Sequence, residues 1–388
     1  MKSTESFTAE IERKEGMVIL HIAAVSNNLF SGICVAVPWH IITQQKYATV
    51  GFINIKNVNI PGIKNTFEHY KKFSFNKLPD PFNTPNLVVF HEVYHYQYIK
   101  LAKQLRKNSI PYIIVPHGSL TKDALQKKKL KKIIGNILMF NSFIDGARAI
   151  QCLSQNEADR VLFDKERFVS TNGIELPKKY KTSFRNQHIH ITYIGRLEVY
   201  TKGIDLMIEA IKLVIEQLRK KGVAINIYGP DYQGRYTEVE NLIQRNGIGD
   251  VVTLHPAIMG EEKERVLLDT DLFIQTSRTE GMPMGILEAM SYGVPCLITE
   301  GTSIGEIVRS YGAGFVCKTN NKSVANMLME ALSSLDIFMQ MSKKSRELIK
   351  NEFDWNKVGK ASIKLYEDLS NYDDTIVSEK VGNECDDL

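Results

Sequence analysis

Ser277-Arg278-Thr279-Glu280-Gly281-Met282-Pro283-Met284-Gly285-Ile286-Leu287-Glu288-Ala289-Met290 is the stretch from which the rest of this chain can be read. It follows the apolar run 272–275 and reads as a strand end turning into a helix over 284–292. One carboxylate falls on the loop and a second falls one turn inside the helix, with glycines and a proline shaping the corner between them. Free N–H groups at a helix start attract anions, and glycine lets a ligand come close to the main chain. Glu280 can accept hydrogen bonds from vicinal hydroxyls and Glu288 from a ribose. That layout suits a ligand that is polyol at both ends and phosphate in the middle. For either glutamate the plain alternative is a cap or a solvated helix residue. Glu288, however, stands among Ile286, Leu287, Ala289 and Met290, where an unpaired carboxylate is costly.

The same strand-to-helix alternation continues on both sides of this motif. Around it, β-rich runs at 188–194, 224–228, 251–255 and 295–299 alternate with helical periods at 203–220, 234–245 and 261–268. An earlier series places strands at 17–25, 47–55, 86–91, 112–115, 147–153 and 167–171, and Ser154 with Glu157 forms a capping box for a helix over 155–162. Such alternation predicts an α/β chain of two doubly wound, Rossmann-like parallel sheets, whose ligands bind outside the carboxyl ends of the strands. The stretch 171–187, with Gly173, Pro177 and a polar run at 178–181, breaks the pattern and reads as a linker. The expected domains are therefore 1–176 and 188–352, facing each other across a cleft. A final helix over 353–370 is expected to cross back to the first domain, and 371–388 to form an acidic, disordered tail.

A chain of 388 residues exceeds what one core usually supports, and its 43% hydrophobic and 24% charged residues are those of an ordinary globular protein. The net charge of +5 is too modest to argue for nucleic acid. Basic residues nevertheless crowd the segment 126–140, which is cationic at one end and apolar at the other. That pattern fits a helix touching an anionic membrane through 127–132, or a solvated basic face leading into a core helix. The five cysteines include no C-x-x-C pair, so a reducing, cytoplasmic compartment is expected. No run approaches the roughly 20 apolar residues of a spanning helix, and the first apolar run is too short for a signal segment. A soluble or peripheral protein is expected.

The spacing from Glu280 to Glu288 resembles the E-x₇-E signature of the retaining glycosyltransferases of family 4, which have the GT-B fold. Gly195-Arg196-Leu197 followed by Lys202-Gly203-Ile204-Asp205 is similar to the family's strand-end arginine and lysine, which contact the donor diphosphate. The likeness runs from about 26 to 366. Physically, Arg196 and Lys202 bracket a strand-to-helix turn, where they can neutralise charge on a departing diphosphate; two solvated surface cations are the alternative.

The resemblance implies a nucleotide-sugar donor, UDP by family frequency with GDP open, and retention of anomeric configuration. It implies transfer of a hexose or N-acetylhexosamine to a saccharide or lipid-linked acceptor in surface polysaccharide biosynthesis. The implied catalytic residues are His91, Glu280, Arg196 and Lys202. The implied donor site comprises Gly32, Gly195, Arg196, Lys202, Gly229, Ile258, Glu280, Gly281, Met282, Pro283, Met284 and Glu288. His117 lies on the acceptor side. Phe90-His91-Glu92 and His117-Gly118 both end strands, where a neutral histidine can donate to a sugar hydroxyl. Only Gly32 is present where the family commonly pairs glycines. Neither a cofactor nor a metal is implied, since the cations take the metal's place. Rival readings are an epimerase of the same fold and a silent nucleotide-sugar-binding protein. A phosphorylase would need a pyridoxal-phosphate lysine, and a dinucleotide oxidoreductase would need a G-x-G-x-x-G after the first strand.

Overall fold

Apolar runs that read as continuously buried strands form two separate all-parallel sheets. The computed structural model describes residues 12–28, 31–70, 72–122, 139–231 and 233–370. The first sheet contains β1 (Val18–Ala23), β2 (Thr49–Asn54), β3 (Thr66–Glu68), β4 (Leu87–His91), β5 (Tyr112–Val115), β6 (Ala149–Cys152) and β7 (Arg167–Val169), in the order β3-β2-β1-β4-β5-β6-β7. The second contains β8 (His190–Ile194), β9 (Ala224–Tyr228), β10 (Val252–His255), β11 (Leu272–Gln275), β12 (Cys296–Thr299) and β13 (Gly314–Cys317), in the order β10-β9-β8-β11-β12-β13. β2, β4, β5, β6, β11 and β12 are buried along their whole length, as expected of strands covered by helices on both faces. In each sheet the strand order reverses beside the first strand, between β1 and β4 and between β8 and β11. A crevice opens there at the carboxyl ends.

The structure adds two strands to those read from the sequence, β3 and β13, both at sheet edges. β3 is only 3 residues and mostly exposed, so it carries no apolar run to detect. The helix expected over 203–220 is broken at Val214, whose φ of −122° leaves the helical region, giving helices Ile204–Leu213 and Ile215–Lys220. Ser154 caps its helix by accepting from Glu157 N at 3.1 Å, but the helix stops at Arg160. The Glu157 carboxylate does not return to Ser154; it takes the N–H groups of Leu153 and Gly118.

The final helix, Trp355–Ser370, crosses back onto the first lobe. Its Ile363 and Tyr366 join the cluster that holds Val37 and Ile41 of helix Gly32–Gln44. Gly359 makes the close approach feasible, because a Cβ there would lie 2.8 Å from Thr43 Oγ1. The helix includes Glu367 and Asp368, the first acids of the carboxyl-terminal acidic stretch. The connecting segment after β7 runs beside this return: Ile174 N donates to Phe353 O at 2.6 Å, and Trp355 stacks on Trp39. Both crossings between lobes therefore lie side by side. No helix among the described residues is long and apolar enough to cross a membrane. The basic stretch 127–132 and the tail 371–388 lie outside the described residues.

Candidate active site

At the switch point of the second sheet, the loops leaving β8, β9 and β11 pack against one another through glycines. Gly203 holds φ +65° at the start of helix Ile204–Leu213, and a Cβ there would lie 1.9 Å from the Thr276 carbonyl oxygen. A Cβ at Gly229 would lie 2.1 Å from Gly195 O. Only glycine permits either approach. Gly203 thus brings Lys202, 78 residues away in sequence, onto Glu280: Lys202 Nζ donates to Glu280 Oε1 at 2.7 Å and to Oε2 at 2.9 Å. Gln275 Nε2 and Ser277 Oγ also donate to Oε1, each at 2.7 Å. The Glu280 side chain is only 9% exposed and that of Lys202 15%. A nearly buried pair with extra donors is the arrangement that offsets the desolvation of both charges.

Arg196 lies at the end of β8, 48% exposed, with a guanidinium nitrogen 4.0 Å from Glu198. Its carbonyl receives the buried Tyr193 hydroxyl at 3.0 Å. Burial, reinforced by the charge of Glu280, pushes that phenol well above the usual tyrosine range. Arg278 of the same loop forks onto Asp205 at 2.7 and 3.0 Å and lies over the Tyr200 ring, tying the β11 loop to the β8 turn. Glu288, on helix Met284–Ser291, is not left unpaired: Lys263 of helix Gly260–Asp269 donates to it. Tyr228, ending β9, stacks on His255, ending β10, with ring centroids 4.5 Å apart, and Ile258 is buried. Nothing lies within 4 Å of a Cβ built at Gly281 or at Gly32, so space is open at both.

The first lobe presents a different chemistry. His91, ending β4, is 1% exposed. Both of its ring nitrogens are engaged by other imidazoles, Nε2 with His21 Nδ1 at 2.9 Å and Nδ1 with His117 Nε2 at 3.2 Å. Burial drives His21 and His117 down to about 3, His40 to about 4, and His91 well below the ordinary value, so all four are neutral. His117, partly exposed, has φ +50° and is followed by Gly118 at φ +82°. The buried Glu157 carboxylate secures that turn through Gly118 N; burial raises its pKa while the two backbone N–H groups oppose the rise.

Asn172 links the two halves. Its Oδ1 accepts from His40 Nε2 at 3.0 Å and its Nδ2 donates to Met284 Sδ at 3.6 Å. Met282 packs on the apolar clusters of both lobes. Arg160 bonds Thr279 Oγ1 at 2.8 Å and Asn156 bonds Ser303 Oγ at 3.3 Å, so the β11 loop bears directly on the first lobe. Of the sequence-predicted residues, the structure brings Lys202 onto Glu280 and His91 onto His117, while Arg196 stands by Glu198 at the β8 turn and Glu288 pairs with Lys263. Sequence reading passed over Gln275, Ser277, Lys263, His21 and Gln44. Only His21 left a signal, as a polar residue inside an otherwise apolar strand.

Two doubly wound lobes with an acidic and cationic site at the second lobe's switch point define a GT-B architecture. The family described as Glycosyl transferases group 1 matches residues 177–355. An uncharacterized glycosyltransferase of Methanocaldococcus jannaschii is 24% identical over 92% of this chain and 95% of its own length. A Xanthomonas campestris GDP-mannose:cellobiosyl-diphosphopolyprenol alpha-mannosyltransferase is 24% identical over 62% of each chain. Anabaena HepE in complex with UDP superposes with a TM-score of 0.70, covering 91% of this chain and 100% of HepE at 15% identity. Residues 177–355 are a group 1 glycosyltransferase domain, and the enzyme is a glycosyltransferase that uses a nucleotide-sugar donor.

Proposed function

We propose that this enzyme moves a hexose or N-acetylhexosamine from a nucleoside-diphosphate sugar, UDP in the first instance, to a saccharide or lipid-linked acceptor in surface polysaccharide synthesis, with retention at the anomeric carbon. The observation that carries this reading is the Lys202–Glu280 pair, held by Gln275 and Ser277 at the β8/β11 switch point. In the free enzyme Glu280 neutralises Lys202. A diphosphate arriving beside Lys202 and Arg196 takes over that role and leaves Glu280, still oriented by Ser277 and Gln275, to accept from sugar hydroxyls. Glu288 receives the ribose hydroxyls; Gly195, Gly229, Ile258, Gly281, Met282, Pro283 and Met284 wall the donor. The bond from the anomeric carbon to the diphosphate breaks, the bond to the acceptor oxygen forms on the same face, and the acceptor proton passes to the departing phosphate oxygen.

In this reading residues 188–352 bind the donor and 1–176 the acceptor, with His91 and His117 on the acceptor side and Gly32 opening toward the cleft. A lipid-diphosphate-linked acceptor is favoured by two features. One is the cationic stretch 127–132; the other is the X. campestris relative, whose name specifies a diphosphopolyprenol substrate. Binding to vesicles of anionic lipid that is strong at low salt and lost at high salt is the expected result, and salt-insensitive or absent binding contradicts it. The donor is tested by a thermal-shift screen against UDP, GDP, ADP and their common sugars. A ligand at a hundred times its Kd stabilises the native state by about 2.7 kcal/mol. The UDP series is expected to give the largest shift, and no shift with any nucleotide overturns the reading.

A further inference from the structure

Gln44, His21, His91 and His117 form one continuous buried line of hydrogen bonds, and its polarity can be worked out from its fixed end. Ser362 Oγ donates to the Gly359 carbonyl at 2.9 Å, an oxygen that can only accept. Ser362 therefore has only lone pairs to offer Gln44, so Gln44 Nε2 donates to it at 2.8 Å. A second anchor agrees. Gln151 Nε2 donates to Ser170 O at 3.2 Å, so Gln151 Oε1 accepts the Tyr366 hydroxyl at 2.6 Å, and Tyr366, left with only lone pairs, offers Gln44 no donor either. With its amide nitrogen committed, Gln44 turns Oε1 toward His21 Nε2, 2.8 Å away.

Each later bond follows from the one before. His21 must carry its proton on Nε2, so its Nδ1 is bare and accepts from His91 Nε2–H at 2.9 Å. His91 Nδ1 is then bare in turn and accepts from His117 Nε2–H at 3.2 Å. His117 is left with a bare Nδ1 for which no partner occurs among the described residues, on the one ring of the three that is partly exposed. A charged ring anywhere in the line would offer two donors and break this order. Desolvation, with no carboxylate bonded to the line, keeps all three neutral.

We propose that Gln44, acting through His21 and His91, is a positioning residue that fixes the tautomer of His117 so that its Nδ1 faces the cleft as a hydrogen-bond acceptor for a substrate hydroxyl. The assignment of that hydroxyl to the sugar acceptor rests on the function proposed above; the order of protons in the line does not. The line orients and does not shuttle. Its far end is an amide oxygen, too weakly basic to take a proton, so a proton accepted at His117 would strand a positive charge among buried rings. This agrees with the departing phosphate as the proton's destination. It also separates the two histidines: His117 touches substrate, and His91 acts through it.

Imidazole nitrogen spectra of ¹⁵N-histidine-labelled full-length protein test this without any substrate, with resonances assigned by single substitution. The expected result is that His21, His91 and His117 all bear the proton on Nε2, from pH 8 down to pH 5.5. In Gln44→Met the anchor is lost, and His21, His91 and His117 are expected to show mixed tautomers while His190 and His255, in the other lobe, keep their wild-type signals. Gln44→Glu puts a carboxylate against His21 Nε2 and is expected to charge that ring, so that both of its nitrogens bear protons and the order of the line is reversed. A proton on Nδ1 of His91 or His117 in the wild type, or a wild-type pattern in Gln44→Met, overturns the proposal. Because the readout needs no turnover, it stands or falls separately from the donor and acceptor assignments.

Discussion

The two lobes share one strand order around their switch points yet line them with opposite chemistry. At the ends of β8 and β11, charge meets charge: Lys202 with Glu280, Arg278 with Asp205, and nearby Lys263 with Glu288. Within β1 and at the ends of β4 and β5 the polar groups are neutral imidazoles closed off by an amide. A diphosphate needs cations that are already present but not unpaired when it is absent, and an acidic partner that can be displaced supplies that. A hydroxyl nucleophile needs an oriented lone pair without a charge that would compete for the diphosphate. In the proposed reading, topology fixes where the two sites lie, and side chains divide the work between them.

The sharpest way to break this comparison is acid. His21, His40 and His91 are buried and neutral in the native state but take up protons when unfolded. Their folded pKa values lie below the ordinary value near 6.5. The stability they protect is therefore fully present above about pH 6.5 and is lost as pH falls toward about 3 to 4. Each contributes a slope of up to about 1.4 kcal/mol per pH unit below about 6.5. Unfolding midpoints measured from pH 7.5 to 5.5 should fall steeply, and His40→Gln should flatten the slope by about one proton. A flat profile would mean that these rings are already charged or wet.

Next in size is Lys202→Ala, expected to lower kcat with a nucleotide-sugar donor by about 10² to 10³, on the order of 3 to 4 kcal/mol. Glu280→Gln sharpens the point: turnover should fall comparably while affinity for UDP alone holds or rises, because the lysine loses its counter-charge. Gly229→Ala would place a methyl 2.1 Å from Gly195 O and should destabilise the second lobe by about 1–3 kcal/mol in denaturant titrations, with the first lobe's histidine spectra unchanged. Smallest is Glu288→Gln, expected to raise the donor KM several-fold with kcat nearly unchanged, since it removes binding common to ground and transition states.

Much of the frame was legible in sequence because parallel strands buried on both faces read as unbroken apolar runs; β4, β5, β9 and β11 lie within a residue of where they were expected. The motif 277–290 was legible because its glycines and carboxylates sit within one strand-loop-helix corner. β3 was not, being a short exposed edge, and neither was the break at Val214, which preserves the helical period on both sides. Partners were the least legible. Glu280 and Lys202 stand 78 residues apart, and Gln44 and Ser362 stand 318 apart, so nothing local records that they meet. The spacing from Glu280 to Glu288 marked two carboxylates but not that each already holds a lysine.

Calorimetric titration of UDP into wild type, Lys202→Ala, Glu280→Gln and His117→Ala tests the central division most directly. The account predicts binding to the wild type, loss of at least about tenfold in affinity for Lys202→Ala, equal or tighter binding for Glu280→Gln, and no change for His117→Ala. UDP affinity that is indifferent to Lys202, or that depends on His117 instead, would place the nucleotide in the wrong lobe and contradict the account.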